Sequence, residues 1–257
     1  MVNPAIKERH KPYFLEAAGS ATAVLMVHGI FGSPLQFRNL AQAMREQGFS
    51  VMAILLPGHG GSAKAFSKAN TKHWQQAVRS AADFLRQRYR HVFMIGHSMG
   101  GLLALSEVLV RRTDGVILMS VPMRIKIGLG NVKMCFKVLF GNPEKDDDFT
   151  QCYREAFSVE KGSLCRYFLW TPQMTGLLGL IGQTRRSISK IQCPVLVIQS
   201  RRDETVSWKS IRVFERRLRA VPAETMLLEK SGHSYHHPEE VNEIHERISR
   251  FVQHHMA

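Results

Sequence analysis

The stretch Gly96-His97-Ser98-Met99-Gly100 decides the fold of this chain, because it spells G-x-S-x-G between an apolar run and a helix-forming run. Residues 91–95 form the apolar run, and residues 101–109 form the helical one. A strand, a sharp turn and a helix are the context in which this motif exposes a serine hydroxyl. The two glycines suit such a turn, because a Cβ at either position would collide with the neighbouring strand or helix. The motif therefore predicts that Ser98 is a nucleophile at the tip of a strained turn.

On both sides of this motif, apolar runs alternate with helical patterns. This alternation predicts an α/β fold with a mostly parallel central sheet and helices on both faces. The runs are nearly continuous and rich in β-branched residues, which is typical of strands buried on both faces. Predicted strands cover 21–27, 50–55, 92–96, 115–120, 195–200 and 224–228, with an edge strand near 13–16, and predicted helices cover 35–47, 73–90, 101–110, 208–220 and 238–254.

One interval interrupts the alternation. Between residues 123 and 186, scattered aromatics, helix breakers and an apolar segment at 176–182 replace the strand–helix rhythm. Open α/β sheets bind ligands beyond the carboxyl ends of their strands. We therefore interpret residues 123–186 as a small helical cap inserted over the site, and residues 1–122 and 187–257 as the core.

The apolar side chains of this cap have two readings. Leu177, Leu178, Leu180 and Ile181 either line an acyl pocket or pack the cap on the core. Both hypotheses stay open. Under the first, Leu177, Leu178 and Ile181 are the expected substrate-pocket residues.

Size and composition fit a protein that folds without disulfides or bound metal. A chain of 257 residues fits one large domain, which buries roughly 70–75% of the surface of its unfolded chain. The four cysteines are scattered, and none forms a Cys-x-x-Cys pair. Residues 1–10 lack the apolar core of a secretory signal, and no run approaches the ~18 apolar residues of a membrane span. We expect a soluble cytoplasmic protein with reduced thiols.

The charge balance is strongly basic. Thirty-five Lys and Arg against 21 Asp and Glu give a formal net charge of +14. The basic residues are spread out and are not interleaved with aromatics, so we expect no nucleic-acid partner. Two interpretations of the basic residues remain: they form a solvated surface, or they give a weak attraction to anionic lipid interfaces. The acidic run 146–148 is expected to be a solvated loop, and no metal site is expected there.

Two later residues fit the partners that a serine nucleophile needs. A serine hydroxyl is weakly nucleophilic at neutral pH and requires an adjacent base that an acid orients. Asp203 follows the apolar run 195–198 and His233 follows the last one, so both come after strand ends in the order acid, then histidine. Glu204 is the nearest competitor of Asp203. His97, inside the turn, is assigned to packing or support.

An oxyanion also needs donors. One is expected from the backbone N–H of Met99, directly after the nucleophile, and the other from the loop after an early strand. Residues 25–27 end such a strand, and Gly29 permits a tight turn, so the N–H of Ile30 is the second expected donor. An ordinary glycine-containing connection is the alternative reading. Phe31 follows and is expected to shape the pocket.

Several motifs along the chain point to one family. They are His28-Gly29, Pro57-Gly58-His59-Gly60, Gly96-His97-Ser98-Met99-Gly100-Gly101, Cys193-Pro194-Val195-Leu196-Val197-Ile198 with Asp203, and Ser231-Gly232-His233. Together they resemble the compact bacterial carboxylesterases and monoacylglycerol lipases of the α/β-hydrolase superfamily, over essentially the whole chain.

The resemblance implies a cofactor-free serine hydrolase that cleaves short- to medium-chain carboxylic esters or monoacylglycerols through an acyl-enzyme. It implies that Ser98 attacks the carbonyl, that His233 relays the proton to the leaving alcohol and that Asp203 holds the imidazole. A thioesterase, amidase or acyltransferase with the same three residues is the alternative, as is a non-catalytic hydrolase-fold binding protein. The expected partner is a small-molecule ester, and the expected state is a monomer or weak homodimer.

Overall fold

A seven-stranded sheet forms the centre of the fold. The computed structural model describes residues 7–126, 148–160 and 168–256. The strand order is β1-β3-β2-β4-β5-β6-β7, and every neighbouring pair is parallel except β1 with β3. The mostly parallel sheet and its edge strand are thereby confirmed. The strands are β1 (Tyr13–Leu15), β2 (Thr22–Val27), β3 (Ser50–Ile54), β4 (His91–His97), β5 (Gly115–Met119), β6 (Val195–Ser200) and β7 (Ala223–Leu228).

Helices connect the strands. The α-helices of the described ranges are α1 (Arg38–Glu46), α2 (Ala63–Lys68), α3 (Thr71–Arg86), α4 (Met99–Val108), α5 (Asp148–Ala156), α6 (Thr171–Ser187), α7 (Ile211–Arg217) and α8 (Pro238–His254). Short 3-10 helices lie at Glu8–His10, Pro34–Phe37, Ile188–Lys190 and Trp208–Ser210. In the described part of the chain, no helix is long and apolar enough to cross a bilayer.

The two faces of the sheet bury two separate cores. In β2, Leu25 and Val27 face a core shared with α3, α4 and α7, whereas Val24 and Met26 face one shared with α1 and α8. Successive side chains of a strand point to opposite faces. Because both faces are covered, all six residues of β2 are buried. This double burial is the reason that the sequence shows continuous apolar runs rather than alternation.

The predicted elements differ from the structure mainly at their ends. The patterns at 35–47 and 208–220 each begin with a 3-10 turn before the α-helix. Helix α2 has no counterpart among the predictions. Helices α5 and α6 lie in the interval interpreted as a cap, but the division into core and cap stays a prediction. Of the acidic run, residues 146 and 147 lie outside the described residues, and α5 begins at Asp148.

Candidate active site

Ser98 occupies the sharp turn between β4 and α4. Its backbone φ is +53°, in the left-handed region that residues other than glycine rarely adopt. The chain can turn here because two glycines lack side chains. A Cβ on Gly100 would lie 2.0 Å from the carbonyl oxygen of Val27, and one on Gly96 would lie 2.4 Å from the Cα of Gly101. The turn therefore holds the serine between the sheet and the first turn of α4.

A continuous hydrogen-bonded chain runs from Ser98 through His233 to Asp203. The Oγ of Ser98 lies 3.1 Å from Nε2 of His233, and Nδ1 of the same ring lies 2.8 Å from Oδ2 of Asp203. The other carboxylate oxygen of Asp203 accepts the N–H groups of Thr205 at 2.8 Å and Val206 at 2.6 Å. Because Asp203 accepts the proton on Nδ1, Nε2 is free to accept the serine proton.

The same contacts set the ionisation of the pair. Burial by itself lowers the pKa of His233, but the Asp203 carboxylate and its hydrogen bond more than offset this and raise the pKa above 6.5. Burial by itself raises the pKa of Asp203, but the imidazole and the backbone donors more than offset it and lower the pKa below the usual value. The carboxylate is thus ionised and the imidazole is a stronger base than a free histidine.

Two neighbouring side chains hold the backbone of His233. The Oε2 of Glu204 accepts the N–H of His233 at 3.2 Å, so this carboxylate contacts the backbone and not the ring. Of the two adjacent acids, Asp203 is the one on the imidazole. His97 donates from Nε2 to the carbonyl oxygen of His233 at 2.7 Å. Burial, with the nearby His233, lowers the pKa of His97 to about 3. His97 is therefore neutral and supports the loop, as the sequence indicated.

The loop that carries His233 is held by Glu240, which the sequence analysis missed. One carboxylate oxygen accepts the N–H groups of Glu229 at 2.8 Å and Lys230 at 3.1 Å. The other accepts the N–H of Ser231 at 2.9 Å and its hydroxyl at 2.6 Å. The signal was an acid in the first turn of α8, where a carboxylate can reach back to preceding N–H groups.

The two expected oxyanion donors lie beside the nucleophile. Met99 is the first residue of α4, so its N–H has no acceptor within the helix. A Cβ on Gly29 would lie 3.1 Å from the Cβ of Ser98, which places the loop before Ile30 against the serine. Within the described residues, neither the N–H of Ile30 nor that of Met99 donates a hydrogen bond. Both donors are thus available to a bound oxyanion.

A mostly apolar cavity of about 410 Å³ opens at Ser98 and His233. Its walls include Phe31, from the loop after β2, and Trp170 and Leu177, from the interval 123–186.

Two of the predicted pocket residues lie elsewhere, and the prediction is corrected for them. Leu178 is 58% exposed, and Ile181 packs in the core beneath α6. The helical period explains Leu178, which points about 100° away from Leu177. Ile181 lies on nearly the same side of the helix as Leu177 but about 6 Å farther along its axis.

The described residues contain no evident group of metal ligands. Across residues 7–126, 148–160 and 168–256, no three His, Cys, Asp or Glu side chains come close enough together to hold a metal ion.

Among known proteins, this chain matches a family model and several curated relatives. Residues 19–240 match the family Hydrolase_4, described as serine aminopeptidase, S33. A carboxylesterase of Bacillus subtilis (strain 168) is 23% identical over 246 residues, which are 95% of this chain and 96% of that protein. A thermostable monoacylglycerol lipase of Bacillus sp. (strain H-257) is 25% identical over 223 residues, covering 87% of this chain and 86% of the relative.

Solved structures share the fold. A chain from the metagenome-derived lipolytic enzymes LipS and LipT superposes with a TM-score of 0.75 at 21% identity, covering 99% of this chain and 100% of its own. The monoacylglycerol lipase of Paleococcus ferrophilus superposes with a TM-score of 0.72 at 17% identity, covering 95% of this chain and 98% of its own. These likenesses establish the α/β-hydrolase fold.

Proposed function

Because this chain belongs to the Hydrolase_4 family and is a serine hydrolase of the esterase or lipase type, we propose that Ser98, His233 and Asp203 are its catalytic triad. The observation that carries the proposal is the hydrogen-bonded chain, with 3.1 Å from serine to imidazole and 2.8 Å from imidazole to carboxylate. Both distances lie within the range that proton transfer requires.

In the proposed reaction, His233 takes the proton of Ser98 as the serine oxygen attacks the ester carbonyl. The N–H groups of Ile30 and Met99 stabilise the oxyanion of the tetrahedral intermediate. Asp203 keeps the imidazole in the productive tautomer and stabilises its charged form. His233 then protonates the departing alcohol, and a water molecule cleaves the acyl-enzyme by the same route.

The proposed substrates are carboxylic esters with short to medium acyl chains, including monoacylglycerols. The apolar cavity of about 410 Å³ supports this class, because it can shelter an acyl chain beside the serine. The names of the Bacillus carboxylesterase and monoacylglycerol lipase support it as well. The cap interpretation of residues 123–186 belongs to the proposal, and Phe157, Trp170 and Leu177 support it by lining this cavity.

Three further predictions belong to the proposal: a cytoplasmic location, a monomer or weak homodimer, and a weak attraction to anionic lipid surfaces. The net charge of +14 supports the last of these. Dependence of vesicle binding on salt concentration would test it, because screening weakens attraction between exposed charges.

The test is hydrolysis of p-nitrophenyl esters from acetate to palmitate, together with a monoacylglycerol, by the wild type and Ser98→Ala. We expect turnover to be highest on short or medium chains and to fall at least about 10⁴-fold in Ser98→Ala, because the nucleophile is lost. Ser106→Ala is the matched control. Ser106 lies within α4, and its hydroxyl donates to the carbonyl oxygen of Leu102, so activity should be retained.

Turnover that survives in Ser98→Ala would contradict the triad. If the wild type hydrolyses no ester, thioesters, p-nitroanilides and acyl transfer to alcohols would be measured next, because the same three residues can serve those reactions. Absence of all these activities would favour a non-catalytic binding protein.

A further inference from the structure

Phe31, the residue after the proposed oxyanion donor Ile30, has an unusual backbone. Its φ is +60°, one of three positive values among the described residues other than glycine. A side chain in this region is strained and stays there only when its surroundings impose the conformation. Both polar groups of the Phe31 backbone are held by side chain or backbone atoms from other parts of the chain.

His59 holds the N–H group of Phe31. Its Nε2 accepts this N–H at 3.2 Å, while Nδ1 lies 3.3 Å from the carbonyl oxygen of Pro57. Because Nε2 must accept, the proton sits on Nδ1 and donates to Pro57. His59 is buried, and burial lowers its pKa to about 4, so the accepting lone pair is present at neutral pH.

Ser158, from the capping interval, holds the carbonyl side of the same residue. Its N–H donates to the carbonyl oxygen of Phe31 at 2.7 Å, and its hydroxyl donates to the carbonyl oxygen of Gly32 at 2.6 Å. The same hydroxyl accepts the N–H of Gly60 at 3.2 Å. Ser158 is buried, so water does not compete for these bonds. Ser158 therefore joins the loop of Phe31 and Gly32 to the loop that carries His59.

We propose that His59 and Ser158 are positioning residues that fix the Phe31 backbone and thereby aim the N–H of Ile30 at the oxyanion. This inference rests on the proposed function, because it assumes that Ile30 is an oxyanion donor. The two residues touch neither substrate nor reacting atoms. They act through Phe31, whose φ could otherwise relax to a commoner value. That change would rotate the peptide plane between Ile30 and Phe31 and thereby shift the Ile30 backbone that carries the donor N–H.

The aromatic neighbours of Phe31 do not perform this task. Its ring lies 5.1 Å from that of Phe157 and 5.2 Å from that of Trp170, measured between ring centroids. These contacts restrain the side chain, whereas His59 and Ser158 bind the peptide groups. Substitutions that remove a hydrogen bond but keep the ring packing therefore separate the two effects.

The experiment compares His59→Leu, His59→Gln, Ser158→Ala and a control, Trp74→Phe. Leucine removes the acceptor for the Phe31 N–H, whereas the Oε1 of glutamine can reach the position of Nε2. Trp74 packs on His59 and donates to the carbonyl oxygen of Pro57 at 2.9 Å, but it does not bond to Phe31. Each variant is assayed for kcat and KM on a p-nitrophenyl ester. Inhibition by a trifluoromethyl ketone, which forms an oxyanionic adduct with the serine, is measured alongside.

We expect kcat to fall about 10- to 10³-fold in His59→Leu, because removal of one oxyanion donor costs that order of rate. The fall should be smaller in Ser158→Ala, which keeps the backbone N–H that donates to Phe31 and loses only the hydroxyl bonds to Gly32 and Gly60. KM should change less than about twofold, because oxyanion donors act on the transition state. The inhibition constant of the ketone should rise in parallel with the loss of kcat/KM. His59→Gln should recover about tenfold of the rate, and Trp74→Phe should resemble the wild type.

Retention of wild-type kcat by both His59→Leu and Ser158→Ala would overturn the proposal. So would equal losses in all four variants accompanied by a lower thermal midpoint, because that pattern marks general loosening. If His59→Leu does not fold, the kcat and ketone affinity of His59→Gln and Ser158→Ala decide. Ser98→Ala, run alongside, separates this inference from the function itself: an active Ser98→Ala refutes the triad, whereas an inactive one with unaffected His59 variants refutes only the positioning role.

Discussion

At the scale of residues, two adjacent carboxylates perform different tasks. Asp203 is fully buried and accepts from the ring of His233, while Glu204 accepts from the backbone N–H of the same residue. One residue of separation after β6 changes the direction of the side chain. The negative charge of Asp203 therefore acts on the imidazole directly, and that of Glu204 acts mainly on loop position.

A pH dependence follows from the raised pKa of His233. The imidazole must be neutral to accept the serine proton, so kcat/KM should fall as the pH drops through a value above 6.5. In Asp203→Asn the raising charge is lost, so the acid limb should move to lower pH. The kcat should fall about 10³- to 10⁴-fold as well, because the productive tautomer is no longer imposed.

The measurement is kcat/KM between about pH 5 and 9 for the wild type, Asp203→Asn and Glu204→Gln. Glu204→Gln keeps an acceptor for the His233 N–H and should shift the acid limb less. An acid limb that does not move in Asp203→Asn would contradict the assignment of Asp203.

The sequence placed the residues of the proposed triad but not those that hold them. Ser98, Asp203 and His233 follow strand ends in a fixed order, which a linear pattern can show. Glu240 could have been suspected from its place in the first turn of α8, but His59 and Ser158 act through bonds to the backbone of segments far away in the sequence. No spacing rule covers such contacts, because the partners meet only after the sheet and its connections are assembled.

At the scale of elements, the packing of α4 depends on Gly100. A Cβ at this position would lie 2.0 Å from the carbonyl oxygen of Val27, and neither backbone can move without disturbing β2. We expect Gly100→Ala to lower the free energy of unfolding by about 3 kcal/mol or more through overpacking. Gly179→Ala in α6 is the matched control, because nothing lies within 4 Å of its added Cβ.

Gly179→Ala should raise the free energy of unfolding by about 0.5–1 kcal/mol, because alanine loses less backbone entropy in a helix than glycine. Urea unfolding of both variants and the wild type measures the two changes. Destabilisation of equal size in both would show that the close approach at Gly100 is not the cause.

Elements were predicted best where burial on both faces requires a continuous apolar run. The strands are mostly buried, and their apolar runs gave bounds that differ from the structure by at most one residue at either end. Helix α2 has only six residues, from Ala63 to Lys68, which is too short for a 3.6-residue period to be recognised. In α6, neighbouring apolar residues face the cavity, the core or solvent. Composition alone could therefore not predict which of them line the cavity.

At the scale of the whole molecule, buried neutral histidines make stability depend on pH. Burial lowers the pKa of His59 to about 4 and that of His97 to about 3, and it also holds the pKa of His28 well below 6.5. In the unfolded chain these groups titrate near 6.5. Between that value and about 4, the unfolded state therefore binds protons that the folded state does not.

The free energy of unfolding should accordingly fall as the pH decreases through this window, by up to about 1.4 kcal/mol per pH unit for each histidine. His233 acts in the opposite sense, because its raised pKa adds stability at low pH that is lost as the pH rises. The lowered histidines outnumber it, because burial also lowers the pKa of His10 and that of His236 to about 4. Urea unfolding between about pH 7 and 5 measures the slope, and stability that stays constant or increases toward pH 5 would contradict this prediction.

The global architecture was predictable in class but not in connection. Alternating apolar runs and helical patterns predicted a mostly parallel sheet with helices on both faces, and the structure confirms it. The strand order, in which β3 lies between β1 and β2, left no trace in the sequence. It depends on which strands pair once the crossovers have folded, and no local pattern records that choice.

The positive φ of Ser98 lowers the stability of the fold. Glycine at this position would adopt a φ of +53° without steric cost, whereas a side chain there costs on the order of 1–3 kcal/mol. A chain shaped by folding requirements alone would gain stability by losing the serine, but with it would go the proposed nucleophile. A hydroxyl kept at such a position is therefore a cost to the fold, and this cost supports the proposal that Ser98 serves the chemistry rather than the structure.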